Sequence, residues 1–418
     1  MNSTGNDPAN EPQPALRRSL SLSLVTFYGL GNILGAGVYV LIGKVAAYAG
    51  YQAPLSFLLA SLLAGFTAFS YAELSARYPF SAGEVIFIQH GLGIRPLAVL
   101  TGLLIIMAGI VSSATIARGF TGYLQVFTPF PELPAIVLLV TCLGALAAWG
   151  ITQSILIAAV MTVVEIAGLL LILWVARPDS TTLLNTLSAL ASPVDAGSAR
   201  GIFLGAFLAF YAFLGFEDMV NVAEEVRQPQ RNLPRAILLA LGISTLLYFA
   251  VAVVAVSAVT PAQLAASDAP LAYIYQQASQ ADPLLIAAIS MVAVVNGALI
   301  QIIMASRVCY GMGSRGWAPA WLARVHPATR TPVLATGLVT LLVMFMALWL
   351  PLESLARATS FFILLVFVLV NLSLYRIKRR ADDSYQGFSV YRWVPVVGAA
   401  GALAFIALQL VSSLTVSV

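Results

Sequence analysis

From Leu20 onward the chain passes through one apolar run after another, at about 20–42, 53–76, 96–118, 133–150, 154–176, 201–224, 235–258, 284–311, 333–351, 354–376 and 393–416. A helix needs about 20 apolar residues to cross a bilayer, so these runs predict an all-α integral membrane protein of about eleven transmembrane helices. Charge agrees: 9% of the 418 residues are Asp, Glu, Lys or Arg, against about 25% in a soluble domain. The formal charge of +4 does not imply a nucleic-acid partner, because the basic residues lie in the loops between spans. Residues 1–18 are polar and end in Arg17-Arg18, which predicts a disordered cytoplasmic tail and no cleavable signal.

Lys and Arg set the orientation. With the N-terminus cytoplasmic, about sixteen of them fall in inner loops and five (Lys44, Arg118, Arg177, Arg200 and Arg357) in outer ones. That bias predicts an inside N-terminus in the cell membrane, and eleven spans then put the C-terminus outside.

The first run carries Gly29-Leu30-Gly31-Asn32-Ile33-Leu34-Gly35-Ala36-Gly37. Each Gly inside a helix costs about 0.5–1 kcal/mol relative to Ala. Broken backbone at membrane depth is tolerated only inside protein or beside a cavity. The other use of such glycines is close helix packing. A second interrupted run decides between them. The sixth run ends Phe210-Tyr211-Ala212-Phe213-Leu214-Gly215-Phe216-Glu217-Asp218, with two acids where a lipid-facing helix would have none. Five spans precede it, so residues 201–377 would repeat 19–177 upside down, with 390–418 as an additional C-terminal helix. Interrupted runs at matching places of inverted halves point to a transporter's substrate site.

Half-helix ends supply the chemistry. Unpaired N–H groups and the positive dipole end of the outer half suit a carboxylate, and freed C=O groups suit an ammonium. Gly35 and Gly37 would let a ligand reach the amides, while Phe210, Tyr211, Phe213 and Leu214 would wall the cargo's side chain. Glu217 and Asp218 are read as caps of the inner half-helix or as direct substrate contacts. In the second case a cationic amino acid or amine is favoured.

At these residues the chain resembles the amino acid–polyamine–organocation superfamily, and within it the bacterial amino acid permeases. The glycine pattern runs from Gly29 to Tyr39. Tyr71-Ala72-Glu73-Leu74 with Pro79 and Ala82-Gly83 matches the second-span segment. Gly215-Phe216-Glu217 with Ala223-Glu224-Glu225-Val226-Arg227-Gln228-Pro229-Gln230-Arg231-Asn232-Leu233-Pro234-Arg235 is close to the family's longest signature. Ser306-Arg307, Trp317-Ala318-Pro319, His326-Pro327 and Thr331-Pro332 follow as in the family. The resemblance implies a leucine-transporter-like fold, a 5+5 inverted repeat with broken spans one and six. It implies that the backbone of Ile33, Gly35, Ala36 and Gly37 takes a carboxylate, and that the carbonyls of Phe210 and Phe213, with those near Gly31, take the amino group. Proton-coupled members carry a lysine in span five, and Glu165 stands in that place here.

An ionisable group at membrane depth is costly and usually functional. Glu165 is read as the ion-coupling candidate, protonated in one access state and ionised or cation-paired in another, or else as a protonated carboxyl bonded to a neighbouring helix. Sodium stays open as the ion. Glu73, Glu84, Glu224, Glu225, Arg227, Arg231 and Arg307 are read as ion pairs near the inner surface.

The predicted activity is secondary active transport of an amino acid or related amine, with an exchanger, a sodium symporter or a non-transporting sensor of the same fold as alternatives. No nucleotide-binding, catalytic or metal motif occurs, which predicts neither enzyme activity nor a cofactor. Cys142 and Cys309 read as buried small hydrophobes. The sequence assigns no oligomeric state.

Overall fold

The computed structural model describes residues 16, 18–35, 37–128, 130–193, 195–267, 269–349, 352–380 and 385–416. The predicted tail, apart from Leu16 and Arg18, and the site residue Ala36 lie outside them.

The first span is two helices, α1 (Leu22–Leu34) and α2 (Gly37–Ala49). Then come α3 (Ala53–Arg77), a short α4 (Gly83–Leu92), α5 (Arg95–Phe127), α6 (Glu132–Trp149) and α7 (Ile151–Val175). A surface helix α8 (Ser180–Ala191) leads to α9 (Ala196–Tyr211), which gives way to a 3-10 segment, Glu217–Glu225. The remainder is α10 (Pro229–Ala258), two short helices α11 (Pro261–Ala266) and α12 (Pro270–Ser279), α13 (Leu284–Ser314), α14 (Val333–Trp349), α15 (Leu352–Lys378) and α16 (Trp393–Val416). Among the described residues eight stretches are long and apolar enough to cross a membrane, and Ala196–Tyr211, Val333–Trp349 and Trp393–Ala407 are shorter apolar helices. Together they account for the eleven runs.

Several helices begin with Pro in the first turn, among them α3, α5, α10, α11 and α12. Proline costs no hydrogen bond there and presets φ. α8 and α9 instead start on aspartate caps. The backbone N–H groups of Thr182 and Ser198 donate to Asp179 and Asp195 and hold both exposed carboxyls below the usual range.

α1 and α2 pack against α10 and α9, and α3 packs against α10 and α9, forming a central bundle. Around it α5 lies along α13, α7 supports α1, and α14 packs on α5 and α6. Trp149, Trp174, Leu246, Leu341 and Trp349 point outward, as lipid-facing positions should. Cys309 is buried, but Cys142 is exposed on α6. The expectation of a buried Cys142 fails because an apolar membrane helix carries no polarity signal that separates its lipid face from its protein face.

One end of the molecule is bolted by buried ions. Glu73 on α3 accepts from Lys378 Nζ on α15 at 2.7 Å and from Arg77 at 2.6 Å, and also takes the backbone N–H of Val390. Arg307 on α13 faces Glu225 at 3.4 Å with both side chains fully buried. Glu224 pairs with Arg315 at 3.6 Å. Arg227 and Arg231 are exposed. Glu84, expected in an ion pair, instead accepts from the amide of Asn221 at 3.4 Å.

Candidate substrate site

α1 runs through Leu34, and Gly35 stays helical in conformation with its N–H on Gly31 O at 3.1 Å. The Gly35 amide, expected to face a carboxylate, is therefore spent on the last turn of α1. The orphan N–H groups belong to the first turn of α2, which begins at Gly37. A Cβ on Gly35 would lie 3.0 Å from Gly31 O and 3.1 Å from Ala293 O, so this glycine also lets α1 close on α13.

α9 ends at Tyr211 in a tight turn. The N–H groups of Ala212, Phe213 and Leu214 bond the carbonyls of Ala209, Phe210 and Tyr211. The carbonyl of Phe210, expected to take an amino group, thus already accepts one bond. Gly215 has φ +126°, a region open essentially to glycine alone. The second half of span six continues as a 3-10 helix, not the α-helix implied by a simple break.

The two breaks touch. Asn32 Nδ2 donates to Gly215 O at 3.1 Å. The Tyr248 hydroxyl, on α10, lies 2.6 Å from Ile33 O and 3.1 Å from Ala212 O. One hydroxyl proton is therefore shared by a freed carbonyl from each broken span, which leaves both carbonyls with acceptor capacity to spare. Tyr248→Phe should leave both without that donor, at a cost of roughly 1–3 kcal/mol. A lower melting temperature of the purified protein is the expected reading, and an unchanged one would mean that other donors replace the hydroxyl.

Between the breaks lies a cavity of about 60 Å³. Spans one and six contribute Asn32, Ile33 and Gly37, and Tyr211, Leu214, Glu217 and Asp218. α5 adds Ala108, Ser112 and Ile116, α13 adds Gly297, Gln301 and Met304, and α15 adds Ile363. Of the site residues expected from the sequence, Ile33, Gly37, Tyr211, Leu214, Glu217 and Asp218 meet here. Phe210 and Phe213 lie behind this wall. Phe210 packs on Phe405, with ring centroids 4.9 Å apart, and Phe213 on Tyr248 at 5.1 Å.

The two acids are bonded otherwise than as caps of the segment that follows. Glu217 Oε2 accepts from Gly215 N–H at 2.8 Å, which ties down the turn behind it. Asp218 Oδ2 accepts from Gln301 Nε2 at 2.6 Å and from Asn32 Nδ2. Asn32 and Gln301 had no role assigned from the sequence. An amide alone in an apolar run signals only that it finds a partner, not which one.

Glu165 is buried on α7, away from the cavity wall but against the same first span. Asn296 Nδ2 on α13 donates to Glu165 Oε1 at 2.8 Å and to Thr162 Oγ1 at 3.1 Å. Tyr39 Oη on α2 donates to the Glu165 carbonyl at 2.7 Å. A Cβ on Gly31 would collide with Thr162 Oγ1 and Asn296 Nδ2, so the glycine-rich stretch is seated on this cluster. Glu165 Oε2 and Asn296 Oδ1 are buried with no hydrogen-bond partner among the described residues.

A bundle whose first and sixth spans break opposite each other around a shared cavity is a secondary transporter of the leucine-transporter-like class. A solved Na⁺-coupled sialic acid symporter, in a substrate-bound outward-open state, matches it with a TM-score of 0.63 over 94% of this chain and 90% of that one. At 13% identity this likeness is one of fold. The family model described as amino acid permease matches residues 20–416, and the chain belongs to that family of the amino acid–polyamine–organocation superfamily. The branched-chain amino acid permease BcaP of Bacillus subtilis is 28% identical over 93% of this chain and 87% of its own length. The methylthioribose transporter of the same organism has the same identity and coverage. The human cationic amino acid transporter 4 is 30% identical over 90% of this chain and 62% of its own. The chain is a transporter, not an enzyme.

Proposed function

We propose that the protein is a proton-coupled amino acid transporter of the cell membrane, with its N-terminus inside, working by alternating access around the cavity between the two breaks. The carrying observation is that Asn32 and Tyr248 join the broken backbones at one small cavity. Cargo binding there is coupled to the arrangement of both mobile spans. The first-turn amides of α2, from Gly37 onward, are the groups for a carboxylate, and the carbonyls around Ile33 and Ala212 the groups for an ammonium.

Glu165 is the proton site in this reading. Two neighbouring acceptors, Glu165 Oε2 and Asn296 Oδ1, are buried without a donor, and a proton on the carboxyl supplies one. Movement of α1 and α2 changes the contacts that Tyr39 and Gly31 make with this cluster, so proton occupancy and access state are linked.

In proteoliposomes, an inside-alkaline pH gradient should drive amino acid accumulation without sodium. Glu165→Gln should abolish that accumulation while leaving counterflow exchange. Accumulation driven as before in Glu165→Gln would remove the proton role. Uptake that requires sodium would move the coupling to sodium, and counterflow alone in the wild type would make the protein an exchanger.

A further inference from the structure

We propose that Asp218 is the specificity residue of the cavity and reads an extra positive charge, so that the cargo is a compact organic cation, an amine or a short diamino acid. This rests on the cavity being the transport site and goes further by naming the class of cargo.

Asp218 is 1% exposed and lies on the cavity wall. Both amides that hold it, from Asn32 and Gln301, donate to the same oxygen, Oδ2. Among the described residues no donor reaches Oδ1. The amides are themselves fixed, since Gln301 Nε2 also reaches Asn32 Oδ1 at 3.2 Å and Asn32 bonds the Gly215 carbonyl. Asp218 therefore cannot swing freely to find a second partner elsewhere. Here one oxygen is pinned by two amides, and the other has no donor among the described residues in a side chain that lines the cavity.

Charge points the same way. Glu217 shares the wall, and no Lys, Arg or His lines the cavity among the described residues. A ligand that completes the site brings N–H donors and positive charge. A zwitterion of zero net charge supplies one ammonium but adds a carboxylate, so it leaves the acidic wall uncompensated. Size limits the cargo. A volume of about 60 Å³ favours a short cargo over a bulky one. Ile116, Met304 and Ile363 on the wall suit a short carbon chain.

The test uses the full-length protein in lipid nanodiscs and two ligands that differ by one terminal ammonium, 2,4-diaminobutyrate and 2-aminobutyrate, with putrescine and leucine alongside. The diamino acid should bind about tenfold or more tighter than 2-aminobutyrate, the gain expected of a hydrogen bond to a charged partner. Asp218→Asn, which keeps the shape, should bring that ratio near one, because the diamino acid loses far more affinity than 2-aminobutyrate does. If Asp218→Asn yields no folded protein, the wild-type ratio decides alone. Equal or tighter wild-type binding of 2-aminobutyrate or leucine would overturn the charge reading and leave amino acid transport standing. Binding of none of the four, together with no amino acid uptake, would remove the transport reading of the cavity and this inference with it.

Discussion

Replacing Arg307 by Gln should cost about 3–5 kcal/mol, because it leaves the Glu225 carboxylate buried without its counter-charge. Both side chains are fully buried and meet at 3.4 Å, joining α13 to the 3-10 half of span six. The same 3-10 half is held from the other side. Leu20 N–H donates to Glu225 O at 3.0 Å, and Arg227 N–H donates to Leu20 O at 2.9 Å. Losing the ion pair thus weakens one of two clasps on the 3-10 half of span six, and that end of the molecule should open more often. Cys309, two residues along α13 and buried, is a native reporter. In a Cys142→Ser background its labelling by a water-soluble maleimide should rise in Arg307→Gln. The double variant Arg307→Met with Glu225→Gln should recover much of the stability, since a neutral pair leaves no buried charge. A double variant as unstable as the single one, with Cys309 still protected, would mean that the pair is not a clasp.

The spans were legible because lipid imposes a length of apolar sequence that no soluble fold demands. Even α9, α14 and α16, whose apolar stretches fall short of a full span, lie in runs visible in the chain. The breaks were legible too, since Gly29 to Gly37 and Gly215 followed by two acids are poor helix material at membrane depth. What could not be read was rotation about each helix axis. In a run apolar on all sides, nothing tells which face meets protein, so the sequence separates neither the exposed side of Cys142 from a buried one nor the cavity wall from the packing of Phe210 and Phe213 behind it. The same blindness hid Tyr248, Gln301 and Asn296, single polar groups on α10 and α13. Their partners lie in spans one, five and six, far away in sequence, and only the packing of the inverted halves brings them together. The Gly35 amide is unreadable for a smaller reason: α1 holds its helical bonding one residue past the last apolar side chain. Glu217 and Asp218 were legible as unusual, but their bonds depend on Asn32 and Gln301 and could not be read.

Gly215→Ala should be among the most damaging single-methyl changes in the protein. The position holds φ +126°, where a side chain costs about 1–3 kcal/mol in backbone strain. The added Cβ would also lie 2.7 Å from Asn32 Nδ2, 2.9 Å from Asn32 Cγ and 3.0 Å from its backbone carbon. The last of these is main chain and cannot rotate away, so spans one and six must separate at their point of contact. Asn32 then loses its bonds to Gly215 O and to Asp218 together, and the cavity loses both its shape and the group that orients its carboxylate. Ligand binding should fall below detection in protein that still reaches the membrane, with a melting temperature well below the wild type. Gly242→Ala on α10 is the matched control. Nothing lies within 4 Å of a Cβ there, and exchanging Gly for Ala inside a helix should raise stability by about 0.5–1 kcal/mol. Similar losses in the two variants would attribute the effect to the spans generally, whereas loss confined to Gly215→Ala ties binding to the contact between the two breaks.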